Sequence, residues 1–317
     1  SNWETMAFFV LSFYLFVSCF FYSGGAVLFL LALAFAGIFI GLSAAHQERK
    51  EVTISYLTDH RKSFFSILLI VLVVIVSAGL SFKYTERLVS VSYFSKTLNA
   101  PTLPAAEASI GNALRLYEND LYLRTYADVY LLKLNSLVSK EESKMTDEDK
   151  TLLQQSSLDQ AVSGARLATN FNSKNYLNFQ ALGGVYQRLV SFGIKDTYEK
   201  SIEAYKMAVA LNPLNPGLHL DMASVSLANK KNTEAKDYAN AAISLKSDYI
   251  DPYIILSQVA KAEGQNTLAV QHAEKALSFA PGNADLIKYV DSLKNGTSAP
   301  APAPTTSGAP TTNTKKP

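Results

Sequence analysis

Apolar residues follow two regimes along this chain. Up to residue 82 they come in three runs, 6–22, 26–45 and 64–82, none of them interrupted by a charged side chain. Each run is about long enough to cross ~30 Å of hydrocarbon at ~1.5 Å per helical residue. Three membrane-spanning helices are therefore expected, with Ser23-Gly24-Gly25 turning the first into the second. Beyond residue 83 the runs give way to a repeating pattern. Tyr253, Leu256, Ser257, Ala260, Ala269, Ala273, Ala276 and Pro281 occupy positions 4, 7, 8, 11, 20, 24, 27 and 32 of a 34-residue unit. One period earlier stand His219, Met222, Ala223, Ser226, Ala235, Ala239 and Ala242. A fixed period of this length predicts helical hairpins, each an A helix followed by a B helix, stacked side by side.

The spacing has a physical cause. Small residues at positions 8, 20 and 27 let the A and B helices approach closely, and larger apolar residues fill the space between them. Proline at position 32 ends helix B because it cannot continue the hydrogen-bond ladder. A third unit carries Phe179, Leu182, Gly183 and Tyr186 in its A helix, then Ser201, Tyr205, Ala208 and Pro213. Some six extra residues around 191–196 separate its two helices. Two earlier units are more degenerate. One has an A helix near 90–98 and a B helix carrying Ala106, Ile110 and Ala113. The next has an A helix with Leu123, Tyr126, Ala127 and Tyr130, and a B helix over 158–168. Between those two helices lies a charged insertion, 139–150, expected as a solvated loop or as extended helix ends. A last helix over 284–294 has no partner and is expected to cap the apolar end of the stack.

These residues resemble the tetratricopeptide repeat. Phe179, Leu182, Gly183 and Tyr186 stand where that family has Trp, Leu, Gly and Tyr. The resemblance implies a superhelix of about five repeats over 83–296. It also implies a concave face lined by A-helix positions 2, 5, 9 and 12. The polar members of that set are Arg124, Asp128, Gln180, Gln187, Ser224, Asp251, Gln258 and Lys261, with Leu121, Leu220 and Ile254 among them. Family members that clamp a terminal carboxylate use a Lys and Asn set that is missing here. The groove could take a protein or extended peptide, a glycan or a neighbouring domain, and for each of these residues a solvated helix face is a stronger expectation than a specific contact.

Charge and composition narrow the function classes. The 317 residues are 48% hydrophobic with a net charge of +2, which gives no footprint for nucleic acid. The single cysteine, Cys19, excludes an internal disulfide and a cysteine-based zinc site. Arg49, Lys50, Arg61 and Lys62 place the loop between the second and third runs in the cytoplasm, so the repeats are expected outside the cytoplasmic membrane. His46 and His60 read as interfacial residues of that loop. His219 falls in a packing slot and His272 faces outward, and neither has partners spaced as a triad or metal site needs. No cofactor is implied. Gly183-Gly184 and Gly24-Gly25 lack the Lys-Ser/Thr of a phosphate loop and read as packing and turn glycines. Asn295-Gly-Thr has the form of a glycosylation acceptor. The Ala/Pro/Ser/Thr-rich stretch 297–317 is expected to be a disordered spacer.

The arrangement as a whole resembles the C-terminal part of bacterial O-antigen ligase/polymerase-like membrane proteins that carry such repeats. The similarity runs through Asn2-Trp3 and Phe9 into the apolar hairpin, Ser92-Tyr93-Phe94, and Leu182-Gly183-Gly184-Val185-Tyr186. It implies a lipid-linked glycan as a substrate of the whole protein, with catalytic Arg and His residues in a region upstream of this chain. On that expectation Ser1 begins a fragment and no catalytic residue can be placed here. The fold expected is all-α: three transmembrane helices, a repeat solenoid and a tail. Two functions are expected: a membrane-anchored scaffold for protein–protein interaction, or the accessory end of a glycan-transferring enzyme.

Overall fold

The computed structural model describes residues 2–21, 25–46, 60–139, 147–190, 194–296 and 301–302. The described residues form thirteen α-helices and no strand. The chain divides into two compact units, 1–78 and 79–317.

In the first unit, α1 (Asn2–Phe21) packs on α2 (Gly25–His46). Phe8 meets Phe35, Phe9 meets Phe39 and Phe16 meets Phe29, with ring centroids 5.3–5.9 Å apart. From Phe8–Phe35 through Ser12–Ala32 to Phe16–Phe29 the partner's number falls as the first rises, so the pair is antiparallel. The Ser12 hydroxyl donates to the Ala32 carbonyl at 3.0 Å, which satisfies it inside an apolar contact. The remaining large apolar side chains of both helices are largely exposed. α3 (His60–Leu98) follows. Its apolar stretch from Ser63 is long enough to cross a bilayer by length and composition, and Phe64 to Phe82 stand open on every side. The apolar stretches of α1 and α2 are shorter, Trp3–Ser18 and Leu28–Ser43. The Ser23-Gly24 turn, Arg49 and Lys50 of the basic loop, and 297–300 and 303–317 of the expected spacer lie outside the described residues.

In the second unit, the end of α3 meets α4 (Leu103–Leu116), with Ser90 donating to the Ala113 carbonyl at 2.9 Å. The pairs α5/α6 (Asp120–Ser139, Asp147–Phe171), α7/α8 (Tyr176–Val190, Thr197–Leu211), α9/α10 (Pro216–Ala228, Asn232–Leu245) and α11/α12 (Ile250–Ala262, Asn266–Phe279) are hairpins. Each hairpin packs on the next, and α13 (Ala284–Lys294) closes the series against α12. This is the expected solenoid, and α13 has the expected bounds. Caps explain several boundaries. Asn215 and Asn283 accept from the first amides of α9 and α13, and Pro216 opens α9 where no amide partner is needed. The charged insertion is divided: α5 runs to Ser139 and α6 begins at Asp147, with 140–146 outside the described residues.

Two turns show how the repeat is enforced. Lys230 and Gly264, one period apart, both adopt positive φ, 57° and 75°. In each, the following amide reaches back to close the A helix: Lys231 to Ser226 and Gln265 to Ala260, both at 2.9 Å. That is the paired bonding of a left-handed helix terminus. The small residues do what their spacing demanded. Ala235, Ala239, Ala242, Ala269, Ala273 and Ala276 are fully buried. At Gly183 a Cβ would meet the Tyr205 ring at 2.7 Å. The Gly183→Ala substitution should therefore destabilise the chain by about 1–3 kcal/mol through overpacking. Gly111→Ala, on an open helix face, should stabilise it by up to ~1 kcal/mol. Denaturant unfolding of the two variants should show opposite shifts.

Candidate functional site on the concave face

The A helices α5, α7, α9 and α11 pack on one another as well as on their own B helices. A stack curves toward the side where its layers meet, so these helices line the concave face. Their inward side chains fall into two groups.

The first group spans α5, α7 and α9. Asp120, at the start of α5, accepts from Asn175 at 2.8 Å, Asn178 at 3.2 Å and Asn172 at 3.4 Å. Burial alone would raise this carboxyl, but those bonds and the Arg124 charge outweigh it and hold its pKa below the usual range. Arg124 lies 3.8 Å from Asp120 and donates to Asn178 at 2.5 Å. Its guanidinium therefore joins the second repeat to the third. Asp128, one turn further along α5, reaches solvent within the concavity. Protein atoms crowd it enough that burial raises its pKa against the charges of Arg188 and Arg124. Gln180 on α7 donates to Asp221 on α9 at 2.9 Å. Gln187 accepts from the Tyr205 hydroxyl at 2.6 Å.

Asp221 is the residue that the groove positions missed. It sits at position 6 of its unit, beside the expected register. Burial raises its pKa to about 6, and the Gln180 bond recovers only part of that penalty. The neighbouring Tyr205 hydroxyl is pushed well above its usual range by burial and by the Asp221 charge. Of the two carboxylates, Asp221 is half-buried and Asp128 is the more exposed. The half-buried one gains most from an added cation or donor.

The second group spans α9, α11 and α13. Ser224, Asp251 and Gln258 line one cleft of about 320 Å³ together with Leu227, Ile254 and Ile255. Gln258 and Lys261 line a neighbouring cleft with Tyr289. The eight sequence-derived residues are therefore split, and Asp251, 2% exposed, is part of the wall rather than its surface. His219 is half-buried with its Nδ1 unpartnered, and burial lowers its pKa. Among the described residues no group of His, Cys, Asp or Glu is placed to hold a metal ion.

The paired hairpins, their 34-residue spacing and the concave A-helix wall define a tetratricopeptide-repeat-type solenoid. No protein-family model matches the chain, and no curated protein matches it. Solved structures of such repeats are similar. A thermophilic repeat protein of Thermus thermophilus, TTC0263, is 18% identical over 67% of this chain and 99% of its own, at a TM-score of 0.46. PilW, a type IV pilus biogenesis factor, is 15% identical over 67% of this chain and 86% of its own, at 0.47. The first repeat domain of Spaghetti (RPAP3), solved with an HSP90 peptide, is 22% identical over 39% of this chain and 94% of its own, at 0.34.

The Asp221 carboxyl titrates at a raised pKa, so the unfolded chain, near 3.8, releases its proton first. Its contribution to stability is present below about pH 4 and is lost as pH rises through about 6. The Asp221→Asn variant should exceed the wild type in stability by about 1–3 kcal/mol at pH 7.5 and match it at pH 4. Unfolding curves at the two pH values check the sign.

Proposed function

We propose that this chain is a membrane-anchored scaffold whose concave face captures an extended protein segment outside the cytoplasmic membrane. The observation that carries the reading is the half-buried Asp221 carboxylate on α9, held by Gln180 of α7, with the more exposed Asp128 on α5 beyond it along the same row of A helices. A bound Lys, Arg or amide donor would restore the solvation that burial removes. The partner is therefore an extended peptide with at least one basic side chain. Anchoring is supported by the open apolar surface of α3 and by the basic residues Arg61 and Lys62 at its start. On this reading α1, α2 and α3 are three spans of the inner membrane.

The exposed α1 face of Trp3, Met6, Val10 and Tyr14 favours a second reading, in which these helices adjoin further spans of an O-antigen ligase-like enzyme. Additional spans encoded upstream of Ser1 would support it, and a start codon beside Ser1 would remove it.

Two readouts test the main proposal. The full chain in detergent should enrich Lys- or Arg-containing peptides from a random extended library, and the Asp128→Asn/Asp221→Asn chain should lose that preference at least fivefold. Unchanged enrichment would refute the groove assignment. In intact cells, a thiol reagent that cannot cross the membrane should label a cysteine replacing Glu142 and spare one replacing Gln47. The reverse pattern would refute the orientation.

A further inference from the structure

Lys83 is the first charged residue after Lys62. Leu80, Lys83, Tyr84 and Arg87 follow the spacing i, i+3, i+4, i+7, so they share one face of α3. That face and the end of α4 wall a cleft of about 490 Å³, with Leu116 and Tyr117 on the α4 side. The Ala113 carbonyl accepts from the Ser90 hydroxyl at 2.9 Å and from the Tyr117 amide at 3.0 Å, which holds Tyr117 beside α3. All of these residues belong to the second unit.

The cleft carries the cations Lys83 and Arg87 against the single carboxylate Glu86, so it is net positive. Lys83 is paired with Glu86 at 2.8 Å. Arg87 is exposed and makes no ion pair among the described residues. Its guanidinium lies over the Tyr117 ring, 5.2 Å from the centroid. Such stacking fixes the plane of the guanidinium and leaves its N–H edge open to an oxyanion, and that fork of donors matches two oxygens of one phosphate.

The position along α3 suits a lipid phosphate. The headgroup layer adds about 5–8 Å to each side of the hydrocarbon. At ~1.5 Å per residue, Arg87 stands at most ~7.5 Å beyond Phe82, where the uncharged run ends. Tyr84 and Tyr117 are the amphipathic rings that favour this depth. A soluble anion would use only the cations, whereas Leu80 and Leu116 also offer apolar surface to the glycerol and acyl part of a lipid.

We propose that this cleft binds the phosphate of an anionic phospholipid headgroup, with Arg87 as its main partner and Lys83, shared with Glu86, as the second. The inference rests on the reading of α3 as a membrane span. It adds a lipid site where that helix enters the repeats, and the bound headgroup fixes the start of the solenoid at the membrane surface. A net-negative headgroup such as phosphatidylglycerol is preferred to a zwitterionic one, whose ammonium would meet the positive charge of the cleft.

Spin-labelled lipids test it on the full chain in phosphatidylcholine bilayers. The chain should restrict labelled phosphatidylglycerol about fivefold more strongly than labelled phosphatidylcholine, the effect of one cation at an anionic surface. Arg87→Gln should remove that preference, and Glu86→Gln, which releases Lys83, should raise it. Lys96→Gln, an equal charge change on the same helix outside the cleft, should leave it unchanged. Equal losses in Arg87→Gln and Lys96→Gln, or no gain in Glu86→Gln, overturn the proposal. In detergent, glycerol phosphate binding as tightly as short-chain phosphatidylglycerol would make the ligand a soluble phosphate and overturn the lipid assignment. Restricted phosphatidylcholine with no preference for phosphatidylglycerol defeats this inference alone. No restricted lipid of either kind defeats the membrane span as well.

Discussion

The solenoid depends on one constraint, the close approach of A and B helices over small side chains. Ala161, Ala165 and Ala168 in α6, Ala208 in α8, Ala235, Ala239 and Ala242 in α10, and Ala269, Ala273 and Ala276 in α12 expose essentially nothing. Where the approach is tightest the small residue is glycine, and Gly183 takes the face of the Tyr205 ring. The same proximity brings polar groups into reach. Ser201 donates to the Gly183 carbonyl and Ser257 to the Ala269 carbonyl, so buried hydroxyls are satisfied across the hairpin. Since a single hairpin leaves an apolar face uncovered, each must stack on the next, and the stack needs a cap at its end. α13 supplies that cap with Leu286, Tyr289 and Val290 buried.

The site follows from the same geometry. Tight A–B packing within hairpins leaves the A helices as the inner wall, where their polar side chains converge. Part of that polarity serves the fold: Asp120, Arg124 and Asn178 join two repeats by a closed set of bonds. The rest stays chemically unsettled. Asp221 is half-buried with one side-chain bond, from Gln180, and burial raises its pKa. The raised pKa of Asp221 means that a cationic ligand would both neutralise the wall and relieve a cost of folding.

Much of this was legible in the chain itself. The period is readable because packing positions tolerate few residue types, so alanine at 20 and 27 marks helix B directly. The cap was legible because Ala284–Lys294 carries the start of a unit without its second helix. Other features were hidden for physical reasons. The start of α6 at Asp147 is only one of two readings of the charged insertion, because residues there obey no core spacing and still favour a helix. Asp221 lies at position 6, beside the groove register, and its carboxylate meets Gln180 where α7 packs on α9. The packing of Ala301 against the clusters of α11, α12 and α13 leaves no periodic trace.

A nearest-neighbour stack built on small residues predicts how damage spreads. Amide hydrogen exchange of the Ala239→Leu variant tests this most directly, because that side chain sits where α10 meets α9. Exchange should accelerate in α9, α10 and α11 while α5 and α6 keep wild-type protection. Uniform acceleration through all the repeats would contradict the account and indicate a single cooperative bundle.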